Sequence, residues 1–500
     1  MAGNGVELRM GILREAASQL LLKPLTSHGW SSSITHAAEA GEYLIINAEK
    51  DGHSRTVALM YSSATANEHY KRIDQIASNI FINGQLYQVE SFAYGISAPV
   101  VPVSEFFSFL VQWNQEINPT ANLKQRTRPA HIRRIVSENP LSSIWSEIGQ
   151  FSSLALAKKL IKRRAEAEQT SLTDEQLNSK ASGVTFSVSN AIDYFKGAPN
   201  ESLNKRVLSL YYGTLNLAFA EMLSSPKGPS DLDEVEGMTK YGHGLFALAS
   251  DTGSFNDLTI GVIASGFFPQ WLSFLGYDTS KYPKSKAKTS SDLENPKKHP
   301  PESFASMAKL LSSIPEVGHL FMQVYDDEPS WLTPHFDSSS IIHRSEKSLS
   351  SSYIFLSSHY RKVSEASILS QNWPFAELTE VESETGHSRY RVRIDHPEFQ
   401  YWHEALLMHR SPYLQSSALV MPVIGGAYDY RAVALAILYA LSILVRYMPG
   451  SWRRVEGGDW NQHLSVMRAT LDVFERLLPQ EFLESITNER IYTSLPGSLN

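Results

Sequence analysis

One stretch constrains the fold more than any other: Ala432 to Val445, fourteen residues without a charge, whose only hydroxyls are those of Tyr439 and Ser442. Arg446 and Tyr447 follow, and Pro449-Gly450 breaks the run. About fourteen apolar residues are too few to span a bilayer but enough for a buried helix. A helix that is apolar on every side needs neighbours all round it. The run therefore predicts a large, mainly α-helical body with Ala432–Tyr447 at its centre.

A chain of 500 residues exceeds what a single core supports, so two or three domains are expected. The net charge of −7 gives no global reason to expect a nucleic-acid partner. The absence of cysteine excludes disulfides, thiolate catalysis, Cys-ligated zinc and iron–sulfur clusters. The first twenty-two residues lack the basic region and continuous apolar core of a secretory signal, and no window holds eighteen apolar residues. A cytoplasmic location is the expectation.

Residues 1–117 read as an α+β domain. Leu8, Ile12, Leu13, Ala16 and Leu20 recur at helical spacing, and Lys23-Pro24 should stop that helix. Glu42–Asn47 and Arg55–Tyr61 are strand-like and joined by a turn at Lys50-Asp51-Gly52. Ile80–Ile82 and Leu86–Phe92 flank Asn83-Gly84, a two-residue hairpin signal. A helix capped by Ser104 is expected to reach Trp113. A small sheet with flanking helices has, in outline, a restriction-endonuclease order. That chemistry needs a carboxylate on one strand and an acid-x-Lys on the next, around a magnesium ion. The nearest match is Glu49-Lys50, but adjacent residues point to opposite faces of a strand. A nuclease effector with a degenerate N-terminal domain is the alternative function.

Residues 118–140 carry three prolines together with Lys124, Arg126, Arg128, Arg133 and Arg134, the pattern of a solvated basic linker. From 141 to 500 helices dominate: Ile144–Arg164, Val184–Phe195, Leu203–Leu223, Ser303–Ser312, Val317–Tyr325, His403–Leu407, Ala432–Tyr447 and Asn461–Leu478. Tyr353–Leu356 and Arg389–Ile394 read as strands, the latter alternating charged and apolar side chains. Residues 279–301 hold six lysines without apolar periodicity and predict a mobile surface insertion. Phe267, Phe268 and Trp271 lie near Lys281, Lys284, Lys286 and Lys288. Together they suit a membrane-surface contact, although a packed core helix accounts for the aromatics more simply.

Chemistry-bearing motifs are scarce. His403 and His409 are six apart and do not share a helical face. Arg454 and His463 are too widely spaced for the Arg–His pair of helical ribonucleases. No HExxH, GxSxG or Walker motif occurs. No catalytic residue, metal site or cofactor is expected.

Five stretches carry a resemblance to a known family: Asn139–Phe151 with its tryptophan, Asn190–Leu223 with Tyr212-Gly213 mid-helix, Tyr241–Leu245 with His243-Gly244, Ile314–Glu316, and Leu438–Trp452 with Arg446. In this order they resemble the YaaC-like family over residues 139–500. The resemblance marks Tyr212, Gly213, His243, Gly244, Arg446 and Trp452 as family-motif residues and implies no established reaction. Some members serve bacterial anti-phage defence. An α+β extension ahead of such a body resembles a sensor that forms homo-oligomers around the early phage lipid vesicle. It also implies recruitment of a partner protein from the same system. A helical regulator binding a ligand near His243 and Arg446 is the remaining alternative.

Overall fold

The computed structural model describes all residues except 1–2, 28, 107–108, 111–112, 114–130, 241, 250–252, 338–350, 359–361, 370–372, 382–386, 397–400, 412–415, 495 and 497–500. It separates into two compact units, residues 1–122 with 334–406 and residues 123–333 with 407–500.

The first unit is built on a mixed five-stranded sheet in the order β1 (Ser31–Ala37), β2 (Tyr43–Lys50), β3 (His53–Met60), β4 (Asn79–Ile82) and β5 (Val100–Pro102). The first three strands are antiparallel; β3, β4 and β5 are parallel. Asp51 and Gly52 both have positive φ and close the expected hairpin between β2 and β3. The hairpin expected at Asn83-Gly84 does not form. Helix α2 (Asn67–Asp74) delivers β4 parallel to β3, and β5 occupies its other edge. Val89–Phe92 is left as a helical turn.

Helix α1 (Gly3–Ala17) also departs from expectation, running on through a π turn at Ser18–Leu22 and a further turn at Lys23–Ser27. The Lys23 N–H bonds to the Ser18 carbonyl, so Pro24 enters a turn already widened to i+5 spacing. Leu13, Ala17, Leu21 and Leu25 form the buried stripe, while Leu8, Ile12 and Leu20 are exposed. Leu44, Ile46, Val57, Leu59 and Phe81 pack on the α1 side, and Tyr43, Ile45, Ala58, Met60 and Ile80 on the side of Tyr70 and Ile73 from α2. Cover on both faces explains strands that read as nearly continuous apolar runs. The restriction-endonuclease outline gains nothing here: Glu49 is exposed near the end of β2, opposite Ser31 and Ser54. Residues 334–406 add three antiparallel strands, Ser351–Ser357, Phe375–Val381 and Arg389–Asp395, with the last in the middle.

The second unit is helix-rich: α3 (Pro140–Gly149), α4 (Leu154–Ala167), α5 (Asp174–Gly197), α6 (Leu203–Ser224), α7 (Phe267–Phe274), α8 (Tyr430–Tyr447) and α9 (Leu464–Thr487) supply most of its core. The single helix expected over 144–164 is broken at Gln150–Ser152. Helix α5 starts earlier than expected because Thr173 and Gln176 form a capping box. Within 303–312, Phe304–Ser306 is a strand, and Ser306 caps the short helix Met307–Ser312. Helix α8 is the predicted central helix, with every residue from Tyr430 to Ser442 buried. Among the described residues it alone has the length and hydropathy of a membrane span, and most of it is enclosed by protein.

Two predicted surface segments are structured. In the expected linker, β6 (His131–Val136) pairs in parallel with Glu489–Ser494, and Arg133 reaches Glu147 at 2.8 Å and Glu489 at 3.2 Å. Lys124, Arg126 and Arg128 lie outside the described residues. The lysine-rich insertion is pinned by buried Tyr282, which donates to the Gly425 carbonyl at 2.6 Å, and by buried Ala287. A capping box of Thr289 and Asp292 opens the helical turn Ser290–Leu293 within it.

Candidate functional site

Five of the six family-motif residues converge in the second unit. Gly213 sits mid-helix in α6, a position that costs about 1 kcal/mol relative to alanine. A Cβ there would lie 2.7 Å from Phe195, so the glycine lets α5 and α6 touch. That approach stacks Tyr194 on Tyr212, ring centroids 5.8 Å apart. Gly244, at φ +78°, leaves no room for a side chain against Pro269. The turn around it accepts the first N–H groups of α7, Phe267 onto the Gly242 carbonyl and Phe268 onto that of His243. His243 is thereby held edge-on to Tyr211 at 5.6 Å, with Tyr439 of α8 at 6.1 Å.

One turn beyond Ser442, Arg446 completes the cluster. Its Nε and Nη2 donate to the carbonyl and hydroxyl of Ser442 at 3.2 and 3.1 Å, and its Nη1 donates to the Tyr212 hydroxyl at 3.0 Å. The guanidinium also lies 5.0 to 5.9 Å from the rings of Tyr211, Tyr212 and Tyr447. All three hydrogen-bond acceptors are neutral oxygens. Elsewhere in the unit Arg133, Arg164, Arg206 and Arg431 each meet a carboxylate. Arg446 is half-buried, and one N–H on each terminal nitrogen has no hydrogen-bond partner among the described residues.

Burial pushes the His243 imidazole below its ordinary pKa, and the Arg446 charge adds to the shift. The ring is therefore neutral near pH 7, and its Nδ1 is buried without a partner among the described residues. Burial pushes the Tyr439 phenol up to about 12, and its hydroxyl donates to the Leu245 carbonyl at 2.9 Å. The assembly is a fixed cation with spare donors, set among neutral aromatic groups. Such a fork suits a carboxylate or phosphate oxygen pair.

The remaining predicted residues serve packing or lie on the surface. Trp452 is buried and donates to Asn204 at 3.2 Å. Phe267, Phe268 and Trp271 cannot be surface contacts, because all three are core residues of α7; Trp271 stacks on Phe482 at 6.2 Å. Lys281, Lys284, Lys286 and Lys288 are exposed.

Two buried ionic clusters escaped the sequence reading. Arg431 bonds both Glu221 and Asp429 at 2.7 Å, and Glu221 also accepts from the Trp271 indole and the Ser485 hydroxyl. His409 is clamped between Glu316 at 2.6 Å and Glu481 at 3.1 Å, with its ring stacked on Tyr430 at 3.9 Å. Glu316 ends the Ile-Pro-Glu motif, the one signal that pointed toward this cluster. No group of three or more His, Asp or Glu side chains poised for a metal ion occurs among the described residues.

The profile of the YaaC-like Protein family matches residues 149–486. No curated protein and no solved structure matches the chain. The matched segment takes in α4 to α9, the His243 turn and Arg446, and spans well over half of the sequence. This chain belongs to the YaaC-like protein family.

Proposed function

We propose that this protein is a non-enzymatic sensor that binds a small oxyanion at the Arg446 cluster. The observation that supports this reading is the half-buried guanidinium, supplied only with neutral acceptors and holding two spare N–H groups beside neutral His243. A cation partly withdrawn from water without a counter-charge carries part of the desolvation cost of burial, which an anionic ligand would offset.

The setting is anti-phage defence in the cytoplasm, on the strength of a resemblance to the jumbo-phage-killer sensor JukA. In this setting the protein self-assembles near a phage-derived lipid vesicle and recruits a partner protein, JukB. The exposed lysines 281, 284, 286 and 288 supply a cationic surface for anionic lipid; the buried aromatics of α7 do not take part.

Calorimetric titration with inorganic phosphate, adenosine monophosphate and benzoate tests the sensing half. Saturable binding lost in Arg446→Ala, with the fold intact, supports it; no binding by any of the three counts against it. Mass photometry with and without anionic liposomes tests the assembly half. A small species of constant mass in both conditions would sink it.

A further inference from the structure

Helix α1 has two apolar faces, and among the described residues only one is used within its unit. Opposite the buried stripe, Leu8, Ile12 and Leu20 are 66, 41 and 44 % exposed. They line an open groove of about 620 Å³, whose only charged lining residues are Glu7 and Glu15. Gly11 lies in the same groove with nothing within 4 Å of where its Cβ would be. No neighbour within the described residues uses that glycine, unlike Gly213. Exposed apolar surface edged by one sign of charge marks a contact site.

The second unit carries a surface of matching character. Helix α4 begins with Leu154 and Leu156, 44 and 39 % exposed. Lys159 and Lys162 follow on its exposed side, with no ion-pair partner among the described residues. Apolar tip and cationic flank complement the apolar floor and acidic edge of the α1 groove.

We infer that the groove on α1 receives the start of α4 from a second copy of this chain. Leu154 and Leu156 enter between Leu8, Ile12 and Leu20, with Gly11 allowing close approach. Lys159 and Lys162 meet Glu7 and Glu15. The two patches differ, so the contact is heterologous, and each copy keeps one free face of each kind. Such contacts build rings or filaments instead of stopping at a pair. This names the surface of the self-assembly proposed above and rests on that reading.

Charge reversal tests it, with mass photometry and sedimentation across a concentration series as the readout. Glu7→Lys with Glu15→Lys, or Lys159→Glu with Lys162→Glu, should raise the concentration needed for assembly at least tenfold. The chain carrying all four reversals should recover assembly. An equimolar mixture of the two reversed proteins should also recover assembly, as an alternating copolymer, because each groove then meets an α4 of opposite charge. Far-ultraviolet dichroism and melting of each variant establish that the fold is retained. Assembly unaffected by the reversals, or not recovered in the four-fold variant, overturns this surface while the assembly reading stands. A wild-type chain that never assembles overturns both.

Discussion

Arg431 and Glu221 meet at 2.7 Å although 210 residues separate them, and both side chains are buried. Burial alone would lower the pKa of Arg431, but the Asp429 and Glu221 carboxylates outweigh it and hold the group charged. The triad links the end of α6 to the start of α8, with the Trp271 indole and the Ser485 hydroxyl completing the Glu221 carboxylate. Removing Arg431 leaves the Glu221 and Asp429 carboxylates in the core without a counter-charge.

Arg431→Ala should therefore destabilise the second unit by about 3–5 kcal/mol, read as a lower urea midpoint by circular dichroism. A loss below about 1 kcal/mol would mean that water reaches the two carboxylates.

Two glycines make a matched test. Gly213→Ala brings a Cβ to 2.7 Å from Phe195 and 3.1 Å from Tyr194. The overpacking, about 1–3 kcal/mol, should exceed the helix-propensity gain of about 1 kcal/mol and lower the melting temperature. Gly11→Ala meets open space and should raise monomer stability by about 1 kcal/mol. Equal effects at the two sites would contradict the close approach of α5 and α6.

Because burial first and the Arg446 charge second depress the His243 pKa, Arg446→Gln should raise it. It should stay below the ordinary histidine range, since the burial remains. Proton NMR titration of the His243 ring measures this. An unchanged value would mean that solvent screens the two groups from one another.

Stability should fall with rising pH in two windows. Burial would lower the His409 pKa, but Glu316 and Glu481 outweigh it and raise the value to about 9. A folded value above the unfolded one, about 6.5, means a contribution complete below pH 6.5 and lost as pH approaches 9. Glu484 is raised by burial, and secondarily by Glu481, to about 7. Its contribution is present below about pH 4.5 and lost by pH 7. His409→Gln should flatten the upper window and Glu484→Gln the lower one in melting temperature against pH. A profile that keeps both slopes in these variants would assign the titration to other groups.

What the sequence made legible follows the range of the interaction. The uncharged run before Arg446 could only be a central helix, and α8 is that helix. Asp51-Gly52 lies between strands that are consecutive in the sheet, so local turn chemistry sufficed. Asn83-Gly84 carries an equally good turn signal, but both edges of β4 are filled by partners from other parts of the chain. Pro24 misled because a π turn absorbed it, an event with no compositional signature. The lysines of 279–301 hid two anchors, Tyr282 and Ala287, within a polar average. Of the candidate site, Gly213, His243 and Arg446 were visible as motifs. Their meeting with Tyr211 and Tyr439 was not, because α6, the His243 turn and α8 come together only through tertiary packing.

The interleaving of the two units bears on how the chain is made. The first unit lacks three strands until residue 406 has emerged from the ribosome, and by then the first half of the second unit is already synthesised. That half waits in turn for α8, α9 and the strand Glu489–Ser494, the only partner of β6 among the described residues. The five-stranded sheet, whose two cores draw only on residues 10–113, can close early, but the second unit cannot close before its last strand is made. The growing polypeptide must carry unmatched apolar helices for most of its synthesis, a state in which nascent-chain chaperones have something to hold.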